Sequence, residues 1–187
     1  NGHATTYRAL VRGLASRGYD LLLLKRDTLW YQENRDLPQP PYCRVRIYKD
    51  REELEQRFTG EIEEADLVIV GSYVPDGIAV TALVQRVARG CTAFYDIDTP
   101  VTLAALTTNS AEYLARRQIP RFDLYRSFTG GPTLERLERT FGARRARALY
   151  CSVDSDVYFE EPGVAKDMDL GYLGTYSADR QPTVDEL

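Results

Sequence analysis

The chain is expected to be α/β, with a doubly wound, mainly parallel Rossmann-like sheet, and three features of its sequence carry that expectation. Residues 65–80, ADLVIVGSYVPDGIAV, run from an unbroken apolar stretch, through a turn holding Pro75 and Gly77, into helical spacing. A strand with apolar side chains on both faces suits a sheet covered on both sides. Short apolar runs then alternate with helical patterns from end to end, the signature of successive βα units. Turn residues also punctuate the strand ends, and in such sheets chemistry gathers where strands end and helices begin.

Taken in order, residues 5–17 place Tyr7, Leu10, Val11, Leu14 and Ala15 on one helical face, with Arg8, Arg12 and Ser16 opposite. Thr5 or Thr6 fits the cap and Gly18 the stop. A helix capped so early implies a preceding strand outside the sequence. With its opening at Asn1 and its close inside a starting helix, the chain reads as a fragment. Residues 21–24 form a short apolar strand. Residues 26–42 set Trp30, Tyr31 and Tyr42 among prolines, and a loop of that length usually covers or binds something. Residues 43–48 alternate, as in a half-exposed strand near a sheet edge. Helix follows from Arg51, with Leu54, Phe58 and Ile62 four residues apart.

The central strand, residues 67–70, leads through a rim segment, residues 72–77, into a helix over residues 77–89. That helix buries Ala79, Val80, Leu83, Val84 and Val87. The next strand, residues 92–95, ends in Asp96-Ile97-Asp98-Thr99-Pro100, where Pro100 suits a helix start and Thr99 or Asp98 its cap. Residues 109–120 are polar and poorly periodic, and residues 124–128 resume strand character. Thr129-Gly130-Gly131-Pro132-Thr133 is a tight turn into a helix carrying Leu134, Leu137 and Phe141. Residues 148–153 supply the last strand of this set. The expected organisation is a Rossmann-like domain over residues 1–153, a linker over 154–168, and a strand, turn and helix start over 169–187 that open a second domain.

Composition narrows the function. A net charge of −4 over 187 residues, with arginines scattered among carboxylates, speaks against a nucleic-acid binder. Apolar runs stay well short of membrane-spanning length, and a signal peptide is not seen. Cys43, Cys91 and Cys151 lack metal-ligand spacing and suit reduced thiols packed as small core residues in a cytoplasmic protein.

Several strings carry a resemblance: NGHATTYRAL from Asn1, YDIDTPVTLA from Tyr95, DLYRSFTGGPTLERLE from Asp123, LYCSVD from Leu149 and DLGYLGTYSADRQP from Asp169. Together they resemble the CgeB-like (spore maturation protein) branch of the GT-B glycosyltransferases, over the amino-terminal half of such an enzyme. The resemblance implies sugar transfer from a nucleotide-sugar donor to an acceptor hydroxyl, in a cleft between two domains, without a metal or other cofactor. The first domain would shape the acceptor side, and the second would hold most of the donor. Little or no activity is then expected of this chain alone.

Each candidate residue has a bland explanation beside the chemical one. His3 lies at the expected cleft, where an imidazole can take a proton from an acceptor hydroxyl, or simply bond neighbouring backbone near the helix start. Gly2, lacking a Cβ, admits a close approach to backbone. Asp96 and Asp98 form an Asp-x-Asp, a pattern that elsewhere holds a divalent cation against a diphosphate. Here metal binding is not expected, since Asp98 serves equally as a helix cap, whereas Asp96 is placed to bond an acceptor hydroxyl. Gly130 and Gly131 suit a phosphate or sugar hydroxyl, or just a tight turn. Ser72 and Tyr73 would line the same cleft, with ordinary surface polarity as the alternative. Gly174 and Arg180, in the first turn of the second domain, are placed by the resemblance near donor phosphate, where a guanidinium pairs two oxygens; Thr175 stands where related enzymes carry arginine after the glycine. Two other functions compete: a dinucleotide enzyme, for which no G-x-G-x-x-G follows a strand, and a non-catalytic sugar- or nucleotide-binding module.

Overall fold

A computed structural model describes residues 2–28, 39–165, 171, 176, 178 and 181–186. The chain divides into two units, Asn1–Ser155 and Asp156–Leu187. Trp30, Tyr31, Gly174, Arg180 and, apart from Gly171, the strand expected over 169–173 lie outside the described residues. In the second unit a short helix, Gln181–Asp185, carries Pro182 in its first turn.

The first unit is α/β, and its strands pair in parallel throughout. In chain order it holds α1 (Gly2–Ala15), β1 (Leu22–Arg26), β2 (Arg44–Tyr48), α2 (Arg51–Glu64), β3 (Leu67–Gly71), α3 (Gly77–Val87) and β4 (Cys91–Asp96). There follow α4 (Thr99–Thr107), a 3₁₀ helix (Arg116–Arg121), β5 (Leu124–Ser127), α5 (Pro132–Arg139) and β6 (Ala146–Ala148). The strands form a two-stranded sheet, β1-β2, and a four-stranded sheet, β3-β4-β5-β6. This arrangement is compatible with a Rossmann-like fold.

Local chemistry explains most boundaries. Gly18 stops α1 in a left-handed conformation (φ 86°), and Gly18 and Tyr19 return their amides to Ala15 and Leu14. Asp50 caps α2 by accepting the Glu53 amide (2.8 Å), which holds the Asp50 carboxyl below its usual range. Leu54, Phe58 and Ile62 are the buried residues of α2, as their spacing predicts. Val68 and Val70 point the same way and pack with them and with Val80, Leu83 and Val84 of α3 in one apolar core.

Several expectations are corrected. The first helix begins at Gly2, so neither Thr5 nor Thr6 caps it, and Thr6 is buried. Ala79 and Val87 of α3 are half-buried, while Thr81 is buried. The last strand is Ala146–Ala148 rather than residues 148–153. Its partner β5 ends at Ser127, so pairing closes with the Leu149 amide on the Ser127 carbonyl (2.7 Å). The unpatterned stretch over 109–120 contains a 3₁₀ helix and some of the most deeply buried side chains, Leu114 and Ile119. Gln118 fixes it to α3 by donating to the Ile78 carbonyl (2.8 Å).

Cover on the two sheet faces is unequal. Leu67, Ile69 and Gly71 share the face against which α1 packs, where Tyr7 meets Tyr95 edge-on at 5.6 Å. Leu67 and Ile69 nonetheless stay 46% and 39% exposed, whereas Val68 is half-buried and Val70 buried, so the central strand is covered better on its α2–α3 side than on the other.

Candidate functional site

The carboxyl ends of β3, β4 and β5 form a rim, and the residues between Gly71 and Gly131 that the sequence singles out fall on it. Ser72 follows β3 directly. Its amide donates to the Tyr95 carbonyl (3.0 Å), and its hydroxyl accepts the Ile97 amide (3.2 Å). Ser72 is thus buried and occupied in joining two loops. Tyr73 holds a left-handed backbone (φ 62°), as does Asp76 (φ 54°), so the turn into α3 is strained at two non-glycine positions. That conformation turns the Tyr73 ring against Tyr113, with centroids 4.7 Å apart, and lets its hydroxyl donate to Asp98 Oδ2 (2.8 Å). Desolvation first, and then the Asp98 hydrogen bond, push the Tyr73 phenol well above its ordinary pKa.

Asp96 is fully buried. Its Oδ2 accepts from the Tyr125 hydroxyl (2.6 Å), and its Oδ1 from the Asp98 amide (3.1 Å) and the Thr102 hydroxyl (2.9 Å). The Tyr113 hydroxyl lies 2.7 Å from Thr102 Oγ1, extending the chain toward Tyr73. Burial raises the Asp96 pKa above the usual carboxylate value, and the three donors pull against that rise. The carboxylate is therefore directed into the protein. Asp98 occupies the N-cap position of α4 without a side-chain cap bond, and spends one oxygen on Tyr73 instead.

A second cluster lies one strand over. Thr99 and Ser127 hydroxyls are 2.8 Å apart, and Ser127 Oγ accepts the Thr129 amide (3.1 Å). Gly131 begins α5 with φ 61°, and open space surrounds the position a Cβ would take. At Gly130, by contrast, a Cβ would stand 2.5 Å from the hydroxyl of Tyr150, an exposed side chain that would have to shift to admit it. On the α1 side, the buried Tyr7 hydroxyl meets Gly71, where a Cβ would lie 2.2 Å away, and has no hydrogen-bond partner among the described residues. Burial drives its pKa upward.

Of the residues singled out, Ser72, Tyr73, Asp96 and Asp98 are brought together, and Gly130 and Gly131 stand on the neighbouring strand end. Gly2 and His3 are the first residues of α1, inside the helix rather than in a loop before it. Tyr125, Thr102, Thr99, Ser127 and Tyr113 were missed. Alternation along LYRS sets Tyr125 and Ser127 on one face, and Thr99 and Thr102 are three apart on a helix, so a partial signal existed. A groove also runs between α2 and α3, past Arg51, Glu55 and Arg86. Arg86 is paired with Glu55, and the groove shares only Asp76 with the rim, so the rim is the candidate site. Among the described residues no cluster has a metal-ligand set, and no helix is long and apolar enough to cross a membrane.

No protein-family model, curated protein or solved structure matches the chain.

Proposed function

We propose that the chain is the acceptor-side half of a GT-B-type, CgeB-like glycosyltransferase, whose complete form moves a sugar from a nucleotide-sugar donor to an acceptor hydroxyl. One observation carries this reading: the strings behind the resemblance, YDIDTP and FTGGP, occupy adjacent strand ends of one parallel sheet, beside Tyr73. There the Tyr73 hydroxyl, the Asp98 carboxylate and the open Gly131 backbone supply donors and acceptors suited to a polyhydroxylated ligand. In the transfer, the bond from the anomeric carbon to the donor phosphate breaks as the bond to the acceptor oxygen forms, and the acceptor proton passes to a base. His3 is assigned that role. Asp96, saturated by its own donors, holds the Asp98 amide and the start of α4 in place. The donor's phosphates are assigned to Gly174 and Arg180 of the second unit, and no metal is required.

The test is twofold. The complete protein, given a panel of nucleotide-sugars, should release nucleotide only with a suitable acceptor, and His3→Gln should lower that turnover. In the present chain, methyl glycosides should shift the amide resonances of Tyr73, Asp98 and Gly131 in a saturable manner. Saturable binding without turnover by the complete protein would favour a binding module, and neither result would end the sugar reading.

A further inference from the structure

At the amino-terminal end of the four-stranded sheet, opposite the candidate rim, unpaired charges of both signs lie side by side. All four strands are parallel, so the residues that lead into them share that end. On the β3 side, α2 closes with Glu61, Glu63 and Glu64, and Asp66 follows. Glu63 is paired with Arg89 (2.5 Å), whereas Glu61, Glu64 and Asp66 are exposed and have no ion-pair partner among the described residues. Their position is electrostatically poor, since a helix carboxyl end already carries partial negative charge and the last turn of α2 holds no base. On the β5–β6 side the sign reverses. The 3₁₀ helix carries Arg117 and Arg121 toward β5, and Arg145 precedes β6, its carbonyl accepting the Tyr125 amide (2.9 Å). All three arginines are exposed and have no ion-pair partner among the described residues. Neighbouring carboxylates are already engaged: Asp123 by the Thr92 amide (2.8 Å) and by Arg144 (3.3 Å), Glu138 by the Ala146 amide (2.9 Å) and by Arg147 (3.2 Å). Gly142 lies against Pro120, where a Cβ would stand 3.1 Å from the ring, so the 3₁₀ helix and the approach to β6 form one surface. Three strand spacings, about 14 Å, separate β3 on the acidic side from β6 on the basic one.

We propose that this end is a self-complementary interface, through which two copies of the chain meet about a two-fold axis perpendicular to the sheet. A half-turn about that axis inverts the strand direction and exchanges the β3 and β6 sides. Glu61, Glu64 and Asp66 of each copy are thereby set against Arg117, Arg121 and Arg145 of the other, twice over. The exposed Leu67, beside Asp66, and the exposed Pro120, beside Arg121, come under the same cover. Mixed sign selects this occupant. A polyanion, or a uniformly basic partner, would be repelled by half of the surface, whereas a second copy answers both halves. The carboxyl rims of the two copies face away from each other, so Tyr73, Asp98 and Gly131 stay accessible in the pair.

Sedimentation equilibrium of the 187-residue chain tests this. A monomer–dimer equilibrium is expected, with a dissociation constant that rises on the order of 10-fold or more between about 20 mM and about 500 mM salt. Two double variants, Arg121→Glu with Arg145→Glu and Glu61→Lys with Glu64→Lys, should each be monomeric, because like charges then face each other. Both change exposed positions, so their circular dichroism should match the parent. Mixed in equal amounts, they should regain a dimer, since the two reversals complement each other. A parent that is monomeric at both salt concentrations would overturn the proposal, and heparin binding by that monomer would assign the basic side to a polyanion instead. Assembly beyond two copies would also overturn it, as would a mixture that stays monomeric. So would a dimer indifferent to salt or to both reversals, as pairing along the open edge of β1 or β3 would give.

Discussion

Replacing Tyr125 by phenylalanine should cost much more stability at neutral pH than in acid, because the bond it removes ends on a buried charge. The ring of Tyr125 packs 5.3 Å from that of Phe94 and is retained, so the change deletes one oxygen and leaves no large void. The lost hydrogen bond, 2.6 Å to Asp96 Oδ2, is to a carboxylate fully buried from solvent. Such bonds contribute about 1.5–3 kcal/mol, roughly twice a neutral one. In the native protein Asp96 has a pKa above that of the unfolded chain, about 3.9 for a free aspartate, with burial as the chief cause. Its contribution to stability is greatest below the unfolded value and declines as pH rises through the folded one. Without Tyr125 the folded pKa rises further, so the decline continues over a wider range. The gap between the two proteins opens between their folded pKa values and is constant above them. Urea denaturation should give a loss of about 2–3 kcal/mol near pH 7.5 and about 1 kcal/mol near pH 4. In a chain of this size the larger loss is about 4–12 °C in Tm. An equal loss at both pH values, or a larger one in acid, would refute the view that Tyr125 serves the charged carboxylate.

Other substitutions probe the packing around the rim. Gly71→Ala should cost about 1–3 kcal/mol, because its Cβ would meet the Tyr7 hydroxyl at 2.2 Å. Tyr7→Phe removes a buried hydroxyl that has no hydrogen-bond partner among the described residues, so it should be neutral or stabilising alone and should restore part of the Gly71→Ala loss. Strictly additive melts for the pair would contradict the contact. Gly77→Ala should be worse, about 3 kcal/mol or more, since its Cβ would lie 2.5 Å from the Tyr113 carbonyl oxygen, and backbone yields less readily than a side-chain tip. Near-normal thermal unfolding of that variant would show that the backbone at Tyr113 can move away. Asp98→Asn should leave Tm within about 2 °C of the parent yet abolish glycoside-induced shifts at Tyr73, and a full response would remove Asp98 from the site.

Much of the fold is legible in the sequence because its signals are local. Four-residue spacing of Leu54, Phe58 and Ile62 needs a helix with one buried stripe, and Leu67 to Val70 needs a strand in an apolar setting. Pro132 after two glycines can only begin a helix cleanly. What escaped depends on distant partners. The position of β6 is set by where β5 stops, and burial of Leu114 and Ile119 by a 3₁₀ segment that Gln118 anchors across 40 residues. The site divides in the same way. Rim positions follow from strand ends, so Ser72, Tyr73, Asp96 and Asp98 could be grouped from sequence. The inward direction of Asp96 follows from its alternation with Tyr95, and its pairing with Tyr125, 29 residues on, needs the register of β4 and β5.

That inward direction separates two kinds of polar residue on one rim. Burial raises the pKa of Asp96, yet the donors to its carboxylate are internal, among them a phenol, a threonine hydroxyl and a backbone amide. A perturbed pKa of this origin reports burial and a fixed frame as much as reactivity. Asp98 is two residues on and half-buried, and it gives one oxygen to a tyrosine that is itself held in a strained backbone conformation. A carboxylate accepts more than one hydrogen bond, so a bond to Tyr73 does not by itself exhaust Asp98. The strain at Tyr73 also has a local purpose, since it aims the phenol at Asp98. On the proposed reading, a ligand at this edge would meet Tyr73, Asp98 and the glycine turn, and Asp96 would act one layer behind them, by fixing where they stand.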